Sequence, residues 1–442
     1  MSFILLGILN SQASGAAVSY WLATLGGAGT DQGTSIATDS AGNSYALGET
    51  TSTGEGYRDF LLAKYDSAGT VQWQRTLGGS DYDDADAVAV DSSDNVYVLG
   101  NTGSSGAGSR DFLLAKYNSS GTIQWQRTLG GSDNDFGFGI ATDSSNNVYV
   151  FGYSGAGFTD ALLAKYNSSG TIQWQRTLGG GNSERGWAVA VDSSDNLYIV
   201  GSTRSAGGPD DDLLIAKYNS SGTIQWQRIL GGASSDEGKA ITLDSSDNVY
   251  VSGKADSAGA GSADLLVAKY NSSGTIQWQR VLGGASSDQA AGIAIDNDSN
   301  VYCVGITEST GAGSADFLIA KYNLSGTIQF QRTLGSTGYE QAFSISVDSQ
   351  GTLNVLGITT ATGAGGTDFL QAKLPADGSL TGTYELDGVD MVYAASSLTA
   401  ATSTLTAATS TLTAATSTLT AATSTLTDAS ASLTSHFVEI PA

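Results

Sequence analysis

Short apolar runs, separated by small polar residues, fill the chain from about residue 20 to residue 375. In one stretch the runs are residues 87–90, 95–100, 111–117 and 122–129. They are rich in Val, Ile, Tyr, Phe and Trp, and Asx, Ser and Gly bound them, which is the pattern of strands joined by tight turns. None has the apolar period of an amphipathic helix. The stretch therefore predicts four antiparallel strands.

This four-strand pattern repeats along the chain. The sequence Leu-Ala-Lys, or a close variant, recurs seven times, and five of the six spacings are 52 residues while the other is 49. The lysines of these copies are Lys64, Lys116, Lys165, Lys217, Lys269, Lys321 and Lys373. A repeat of about 40 to 50 residues is typical of propellers and solenoids. The pattern predicts an all-β fold, a seven-bladed β-propeller, in which radial repetition protects the sheet edges.

The sizes of the side chains indicate the order of strands within a blade. Residues 87–90 and their copies are small, as an innermost strand requires, whereas the Trp-bearing strand suits the wide periphery, where aromatic area fills space. The first Trp-bearing strand precedes the first complete inner strand, and residues 380–383, after the last lysine strand, lack the aromatic residue. We therefore expect residues 18–25 to supply the outer strand of the last blade and to close the ring.

The repeat resembles a known family. The chain reads AVDSSDNVYV at residues 89–98 and ends the repeat with LGG at residues 129–131. This is similar to the composite GIAVDSSGNVYV…DxFxAK…SGxxxWxxxLGG of the SBBP-type bacterial β-propeller repeats, over roughly residues 20–375. The resemblance implies the propeller fold and leaves the activity open, because one fold hosts many functions.

Acidic residues recur in three sets, of which two are expected to cap turns. The third set lies six residues after each repeated Leu, in the loop that leads to the axis, and comprises Asp31, Asp83, Asp135, Glu184, Asp236, Asp288 and Glu340. These seven are expected to form a ring of carboxylates around one mouth of the central channel. Such a ring would suit calcium, since hard cations take several oxygen ligands. Solvated loops without a metal are the alternative.

Five residues break the symmetry of the repeats in the middle of the ring. They are Arg185, Trp187, Arg204, Lys239 and Lys254. Near-identical blades contain few other chemical differences. If one sector of the ring recognises a ligand, we expect these residues to bind it.

Catalysis has little support in the sequence. The single histidine, His436, lies in the C-terminal tail, so the blades contain no Ser-His-Asp arrangement. A pair of carboxyl groups for glycoside cleavage needs two different environments, and near-identical blades are expected to offer few. The sequence therefore predicts that the protein is not an enzyme.

The charge balance limits the partners. The chain has 43 acidic and 19 basic residues, for a formal net charge of −24. Nucleic acid is not expected as a partner, because phosphate binding needs a basic patch. The acidic excess favours solubility. The single cysteine, Cys303, replaces a Val in a predicted strand and is expected to be a buried apolar residue.

The N-terminal segment, residues 1–17, begins with the apolar run FILLGIL at residues 3–9. No Lys or Arg precedes Arg58, so the positive region of a signal peptide is missing, and the run is too short to span a membrane. The segment resembles the short apolar N-terminus LLGILNxQAxG of structural proteins of marine tailed phages, especially cyanophages. That resemblance implies docking onto other virion proteins.

The C-terminal tail repeats every seven residues in copies of Leu-Thr-Ala-Ala-Thr-Ser-Thr. Its leucines are Leu398, Leu405, Leu412, Leu419, Leu426 and Leu433. Leu at position a and Ala at position d predict a coiled coil. An odd period is taken as incompatible with a strand, since successive leucines would change faces. Each Thr or Ser costs a helix about 0.5 kcal/mol, so helices are expected only on association, as a homotrimer. A disordered stalk is the alternative.

Three parts follow: a docking segment at residues 1–17, the propeller at residues 18–386, and the heptad tail at residues 387–442. We expect a non-enzymatic virion protein, a tail fibre or decoration protein on the particle surface, which displays its propeller for assembly or host attachment. The first alternative is a bacterial propeller adhesin, secreted or on the cell surface. The second is a carbohydrate-active enzyme, such as a polysaccharide lyase or hydrolase.

Overall fold

The computed structural model describes residues 18–155, 157–207, 209–403, 406–409, 413–416, 420–423, 427–430 and 434–440. Its regular elements are strands, which form seven antiparallel sheets, one for each repeat. The predicted all-β, seven-bladed propeller is confirmed. Residues 1–17, the expected docking segment, lie outside the described residues. Within the described ranges, no helix is long and apolar enough to cross a membrane.

The first strand in the chain, β1 (Tyr20–Gly26), belongs to the last blade. The next six blades each contribute four strands in order from the axis outward. Blade 1 has β2 (Asp31–Thr38), β3 (Ser44–Thr50), β4 (Asp59–Tyr65) and β5 (Val71–Gly78). Blade 2 has β6 (Asp83–Val90), β7 (Val96–Thr102), β8 (Asp111–Tyr117) and β9 (Ile123–Gly130). Blade 3 has β10 (Asp135–Thr142), β11 (Val148–Ser154), β12 (Asp160–Tyr166) and β13 (Ile172–Gly179).

The second half of the ring follows the same plan. Blade 4 has β14 (Glu184–Val191), β15 (Leu197–Thr203), β16 (Asp212–Tyr218) and β17 (Ile224–Gly231). Blade 5 has β18 (Asp236–Leu243), β19 (Val249–Ala255), β20 (Asp264–Tyr270) and β21 (Ile276–Gly283). Blade 6 has β22 (Asp288–Ile295), β23 (Val301–Thr307), β24 (Asp316–Tyr322) and β25 (Ile328–Gly335). Blade 7 has β26 (Glu340–Val347), β27 (Thr352–Thr359) and β28 (Asp368–Pro375), completed by β1.

The core lies between neighbouring blades. Strands β7 and β8 are buried along their whole length, because both of their faces meet an adjacent sheet. One apolar cluster joins Tyr97 and Leu99 of blade 2 to Val150 and Leu162 of blade 3. Cys303 lies in β23, the second strand of blade 6. It is fully buried and has no disulfide partner, as predicted.

Ring closure is also as predicted. Strand β1 pairs antiparallel with β28, in a register that runs from Trp21 opposite Lys373 to Leu25 opposite Phe369. The N-terminal strand therefore occupies the Trp-bearing position of blade 7, and closure joins the two ends of the repeat region through backbone hydrogen bonds.

A turn network explains the repeated lysine. Asp91 accepts hydrogen bonds from the backbone N–H groups of Ser93 and Asn95, both at 2.9 Å, and from the Tyr97 hydroxyl at 3.0 Å. The Lys116 ammonium lies 3.7 Å from this carboxylate and 4.8 Å from the centre of the Tyr97 ring. Burial alone would raise the pKa of Asp91, but the hydrogen bonds, led by those of Asn95, hold the pKa below its ordinary value. The turn-capping role predicted for this acidic set is confirmed.

The Trp-bearing strands connect each blade to the next. The Trp73 indole N–H donates to the Ser119 carbonyl at 3.2 Å, and Arg75 Nε donates to the Gly121 carbonyl at 2.7 Å. Gly121 has a φ of 76°, and a Cβ atom there would lie 2.8 Å from the Trp73 ring. The glycine of this turn is therefore required both by its backbone conformation and by the close approach of the indole.

The C-terminal tail adds strands to the outside of the blades. A hairpin of β29 (Gly382–Leu386) and β30 (Val389–Ala395) extends blade 6. The strands that follow are β31 (Thr399–Thr402), β32 (Thr406–Thr409), β33 (Thr413–Thr416), β34 (Thr420–Thr423), β35 (Thr427–Ser430) and β36 (Thr434–Ile440). They pair in turn with the outer strands of blades 5, 4, 3, 2, 1 and 7. We call β30 to β36 the tail belt.

The tail belt corrects two sequence-based expectations. The Trp-bearing strand is the fourth strand of its blade but not the outermost, because a belt strand lies outside it. The predicted coiled coil is absent from the described tail residues, which pair as strands. The expected boundary between propeller and tail, after residue 386, falls in the turn of the hairpin between β29 and β30. The tail therefore continues directly from strands on the outside of blade 6.

A seven-residue period suits this belt because a strand of four residues begins at every seventh residue, from Thr399 to Thr427. An odd period would turn successive leucines to opposite faces of one continuous strand. Every belt strand joins a different blade, so successive strands do not need a common face and this objection does not apply. Thr is also favoured in strands and disfavoured in helices. The trimer expected through this tail depended on helices, so the strand arrangement predicts a tail that binds its own propeller.

Deletion of residues 396–442 should leave a monomer, since the belt strands pair within one chain. The outer strands of the six blades that lose a partner should exchange their amide hydrogens faster. Blade 6 retains β30 and is the internal control. Light scattering and hydrogen exchange measure both effects. Three chains in the intact protein, or unchanged exchange after deletion, would contradict the belt.

Candidate functional site

Every inner strand contains one extra residue where it pairs with the second strand of its blade. The register shifts between Gly137 and Gly139 in blade 3, for example, and at the same place in the other six blades. The extra residues are Thr34, Asp86, Phe138, Trp187, Lys239, Ala291 and Phe343. A β-bulge redirects the side chain of its extra residue, and here it does so seven times around one axis.

All seven bulge residues line one cavity. Its volume is about 380 Å³, and Gln289, Gln341 and Ile306 also contribute to its wall. We call these ten residues the axial site. Cavities of this size are typical of small-molecule sites. Because the seven blades contribute six kinds of side chain, the walls differ chemically: blade 2 provides a carboxyl group, blades 3, 4 and 7 provide aromatic rings, and blade 5 provides an amine.

The aromatic wall is built from neighbouring blades. The rings of Phe138 and Trp187 are 4.8 Å apart, and Tyr153 lies 5.5 Å from Phe138. The Lys239 ammonium is 3.8 Å from the centre of the Trp187 ring, which is a cation–π contact. The Trp187 indole N–H is buried and has no hydrogen-bond partner among the described residues. A buried donor of this kind needs an acceptor, which a ligand or water can supply.

The basic wall lies beside these rings. Glu237 binds the ammonium group of Lys239 and lies 3.4 Å from that of Lys254. Burial lowers the pKa of Lys239. Burial would raise the pKa of Glu237, but the two lysines, Lys239 first, hold it below its ordinary value. Arg185 has no ion-pair partner in the part of the chain that the structure describes.

The acidic wall contains carboxyl groups in different environments. Burial raises the pKa of Asp86 well above its usual range, and the charges of Glu49 and Asp84 raise it further. Asn101 donates to Asp86 at 2.8 Å. Burial raises the pKa of Glu49 to about 7, although Arg58 lies 2.9 Å away. Burial therefore favours the neutral form of Asp86, which is the form that donates a hydrogen bond.

The structure separates the five predicted symmetry-breaking residues. Trp187 and Lys239 line the cavity, and Lys254 joins the ion pairs of Glu237. Arg185 occupies the same strand position as Gln289 and Gln341, one pleat before the bulge. Arg204 instead pairs with Asp211 at 2.7 Å in a loop.

The seven predicted axial carboxylates do not line the cavity. Each accepts a hydrogen bond from the backbone N–H four residues earlier, as Asp31 does from Gly27 at 2.7 Å. Asp31 also accepts from the Ser52 hydroxyl at 2.7 Å and is fully buried. Among the described residues, no group of three metal-ligating side chains could hold a metal ion. The carboxylates cap turns, and the expected calcium site finds no ligand cluster there.

Sequence analysis missed five of the seven bulge residues, Thr34, Asp86, Phe138, Ala291 and Phe343. Their signal was present. The bulge position lies three residues after the recurrent acid and differs between most of the seven copies, whereas its neighbours are small in every copy. Trp187 and Lys239 were identified because they depart from the repeat by an aromatic ring or a charge. The variable residues of the other five copies, which occupy the same position of the repeat, were overlooked.

Comparison with known proteins agrees with the fold. The family model of the SBBP beta-propeller repeat matches residues 21–54, 124–159, 225–259 and 277–311. Regulatory protein FlaEY of Caulobacter vibrioides is 25% identical over 118 residues, which cover 24% of this chain and 12% of that protein. The present chain thus spans about an eighth of the length of this relative.

Several solved structures are similar in fold at low sequence identity. Polysaccharide lyase Uly1 is 10% identical, with a TM-score of 0.46, and the match covers 78% of this chain and 90% of that one. A polysaccharide lyase PL25 ulvan lyase is 10% identical, with a TM-score of 0.48 and coverage of 80% and 96%. The periplasmic gluconolactonase PpgL of Pseudomonas aeruginosa is 10% identical, with a TM-score of 0.42 and coverage of 85% and 99%.

The expectation that this protein is not an enzyme is corrected. Similar solved structures include the propeller enzymes just named. The premise of the expectation also fails, because near-identical blades were expected to give carboxyl groups few different environments. Asp86 and Glu49 have raised pKa values, whereas Asp84 lies between two guanidinium groups. These three carboxyl groups therefore lie in different environments, although the blades that carry them repeat one sequence pattern.

Replacing Glu49 by Gln should reduce the pH dependence of stability. Folded Glu49 holds its proton to about pH 7, whereas unfolded Glu loses it near the ordinary value of 4.5, so Glu49 weakens the fold as pH rises through this window. Between about pH 5 and about pH 8, wild type should lose about 2 to 3 kcal/mol more unfolding free energy than Glu49→Gln. Urea denaturation measures the difference, with exposed Glu385→Gln as control. An equal dependence of the unfolding free energy on pH for wild type and Glu49→Gln would contradict this prediction.

Proposed function

We propose that this propeller, which contains SBBP repeats, binds a carbohydrate in the axial site. The observation that supports the proposal is the combination, in one cavity, of an aromatic wall at Trp187 with hydrogen-bonding groups on the other blades. Apolar faces of a sugar ring pack on aromatic faces, and convergent polar groups fix the orientation of the bound molecule. A cavity of about 380 Å³ can hold one or two sugar residues.

The polar groups of the cavity match the chemistry of sugar hydroxyls, which both donate and accept. The neutral form of Asp86, which burial favours, donates. The amide side chains of Gln289 and Gln341 donate and accept, and Lys239 and the Trp187 indole N–H donate. All five side chains belong to inner strands rather than to loops. Groups on paired strands are held in place before a ligand arrives, which lowers the entropic cost of binding.

Replacing Trp187 by Ala should weaken carbohydrate binding at least about tenfold, a loss of about 1.4 kcal/mol, because it removes both the ring face and the unpaired donor. A glycan array identifies the sugar, and titration calorimetry gives the affinities. Leu324→Ala, an exposed residue outside the axial site, is the control. Absence of glycan binding by wild type, or equal affinities of wild type and Trp187→Ala, would reject the proposal.

Cleavage of the bound carbohydrate is a second candidate function. The supporting observation is the pair of differing environments on the acidic wall, where burial raises the pKa of Asp86 and Asp84 is ion-paired with Arg58 and Arg110. Acid–base cleavage of a glycosidic bond uses one protonated and one ionised carboxyl group. In this candidate reaction Asp86 donates its proton to the leaving oxygen as the glycosidic bond breaks, a water molecule attacks the anomeric carbon, and the Asp84 carboxylate accepts the proton that this water loses.

A test of cleavage uses Asp86→Asn, which keeps the shape of the side chain and removes the acid. Chromatography of the bound glycan after incubation should show new chain ends with wild type and at least about a hundredfold slower cleavage with the variant. Binding of the glycan by Asp86→Asn should persist. Intact glycan after incubation with wild type would leave the axial site as a binding site alone.

Display of this site on a virion remains a separate proposal. Its support is the resemblance of residues 1–17 to phage structural proteins, and docking to other virion proteins and attachment to a host surface depend on it. Secretion as a bacterial adhesin is the alternative. Mass spectrometry distinguishes them, since removal of residues 1–17 from the native protein would favour secretion and count against the virion.

A further inference from the structure

Two exposed tyrosines stack on each other near the axial site. Tyr57 is 67% exposed and Tyr82 is 41% exposed, and their rings are 5.2 Å apart and nearly parallel. Tyr57 lies in the loop from β3 to β4, and Tyr82 lies in the loop from β5 to β6. Since neighbouring strands are antiparallel, both loops lie on the face at which the inner strands begin. The bulges lie toward this same face.

Contacts between rings and guanidinium groups connect the tyrosines to the axial site. The Arg110 guanidinium lies 5.7 Å from the centre of the Tyr82 ring and 5.9 Å from that of Phe136. Phe136 stacks on Phe138 at 6.4 Å, and Phe138 contacts Trp187. We call this continuous series the aromatic strip: Tyr57, Tyr82, Arg110, Phe136, Phe138 and Trp187.

Ion pairs fix the cationic part of the strip. Asp84 binds Arg58 at 3.0 Å and also binds Arg110, and Arg58 lies 5.7 Å from the centre of the Tyr82 ring. About a third of each arginine side chain is exposed. Each guanidinium has five N–H donors in a rigid plane, and the carboxylates use only some of them. The remaining donors can bind hydroxyl or carboxylate oxygens of a ligand on this face.

The fold does not require these side chains. At the position of Arg58 and Arg110, one residue before the third strand, the other five blades have Thr159, Asp211, Ala263, Ala315 and Thr367. At the position of Tyr82, four of the other six blades have Ser or Thr. Blades with small residues at these positions pair in the same register. The strip is therefore a local departure from the repeat, as the axial site is.

We propose that the aromatic strip is a binding track for an extended glycan chain, with one end in the axial site and Tyr57 and Tyr82 forming an outer subsite. This inference rests on the proposed carbohydrate binding of the axial site. Ring faces and planar guanidinium groups suit successive sugar rings, each of which presents an apolar face and peripheral hydroxyls.

The test compares affinities for glycans of increasing length. Probes are galacturonic acid, xylose and glucose, each as the monosaccharide and as β-linked or α-linked oligomers of up to about six residues. Wild type should bind the oligomers of at least one series at least tenfold more tightly than its monosaccharide. Tyr57→Ala combined with Tyr82→Ala should abolish this gain and leave monosaccharide affinity unchanged.

Phe158→Ala is the matched control, because Phe158 is 70% exposed and occupies in blade 3 the loop position that Tyr57 has in blade 1. Equal melting temperatures show that all variants are folded. The binding track is rejected if affinity still increases with glycan length in the double variant, or if Phe158→Ala also abolishes that increase. Carbohydrate binding by the axial site would remain supported in both cases. Absence of binding by wild type, both to these probes and on the glycan array, instead rejects the proposed function itself.

Discussion

The β-bulge in each inner strand is the constraint on which both the ring and its candidate site depend. Seven strands crowd the axis, and pairing with the second strand of the blade limits the side chains that they can carry. The extra residue of the bulge is released from that pairing, and its side chain contributes little to the blade. It can therefore be Thr, Asp, Phe, Trp, Lys or Ala without a change of fold. The paired positions of each inner strand thus maintain the repeated fold, and the bulge position determines the chemistry of the cavity.

Much of the acidic excess is structural. Every member of two recurrent acidic sets accepts backbone hydrogen bonds in a turn, as Asp31 and Asp91 do. These carboxylates are buried, so a net charge of −24 does not describe the axial face. Five cations that the repeat does not explain surround the axial site or the strip: Arg58, Arg110, Arg185, Lys239 and Lys254. Four of them pair with Asp84 or Glu237, and their concentration around the axis distinguishes one face from the other.

The sequence allowed prediction of the fold but only part of the site. A period of 52 residues and the displaced Trp21 strand determine the number of blades and the closure, because both are properties of backbone pairing. The bulge leaves a different signal, a variable residue between two small residues in every copy, and the positions of the apolar runs alone do not reveal it. Trp187 and Lys239 were identified by their chemistry, whereas Asp86 was overlooked as one more acid among 43. Its raised pKa arises from burial that only packing determines.

The tail shows a related ambiguity, because a heptad fits a helix with a seam as well as a strand of four residues with a connection of three. Outer strands of the blades offer almost identical edges, and four heptads are almost identical, so shifting the belt by one blade would preserve most of its pairs. The two ends must set the register. At one end β30 continues from the hairpin with β29. At the other end β36 has a unique sequence, pairs with β1 over seven residues, and places Phe437 6.0 Å from Trp21. Blade 7 thus joins the N-terminal strand, the last repeat and the end of the tail, and the belt is held in register by its ends rather than by its repeats.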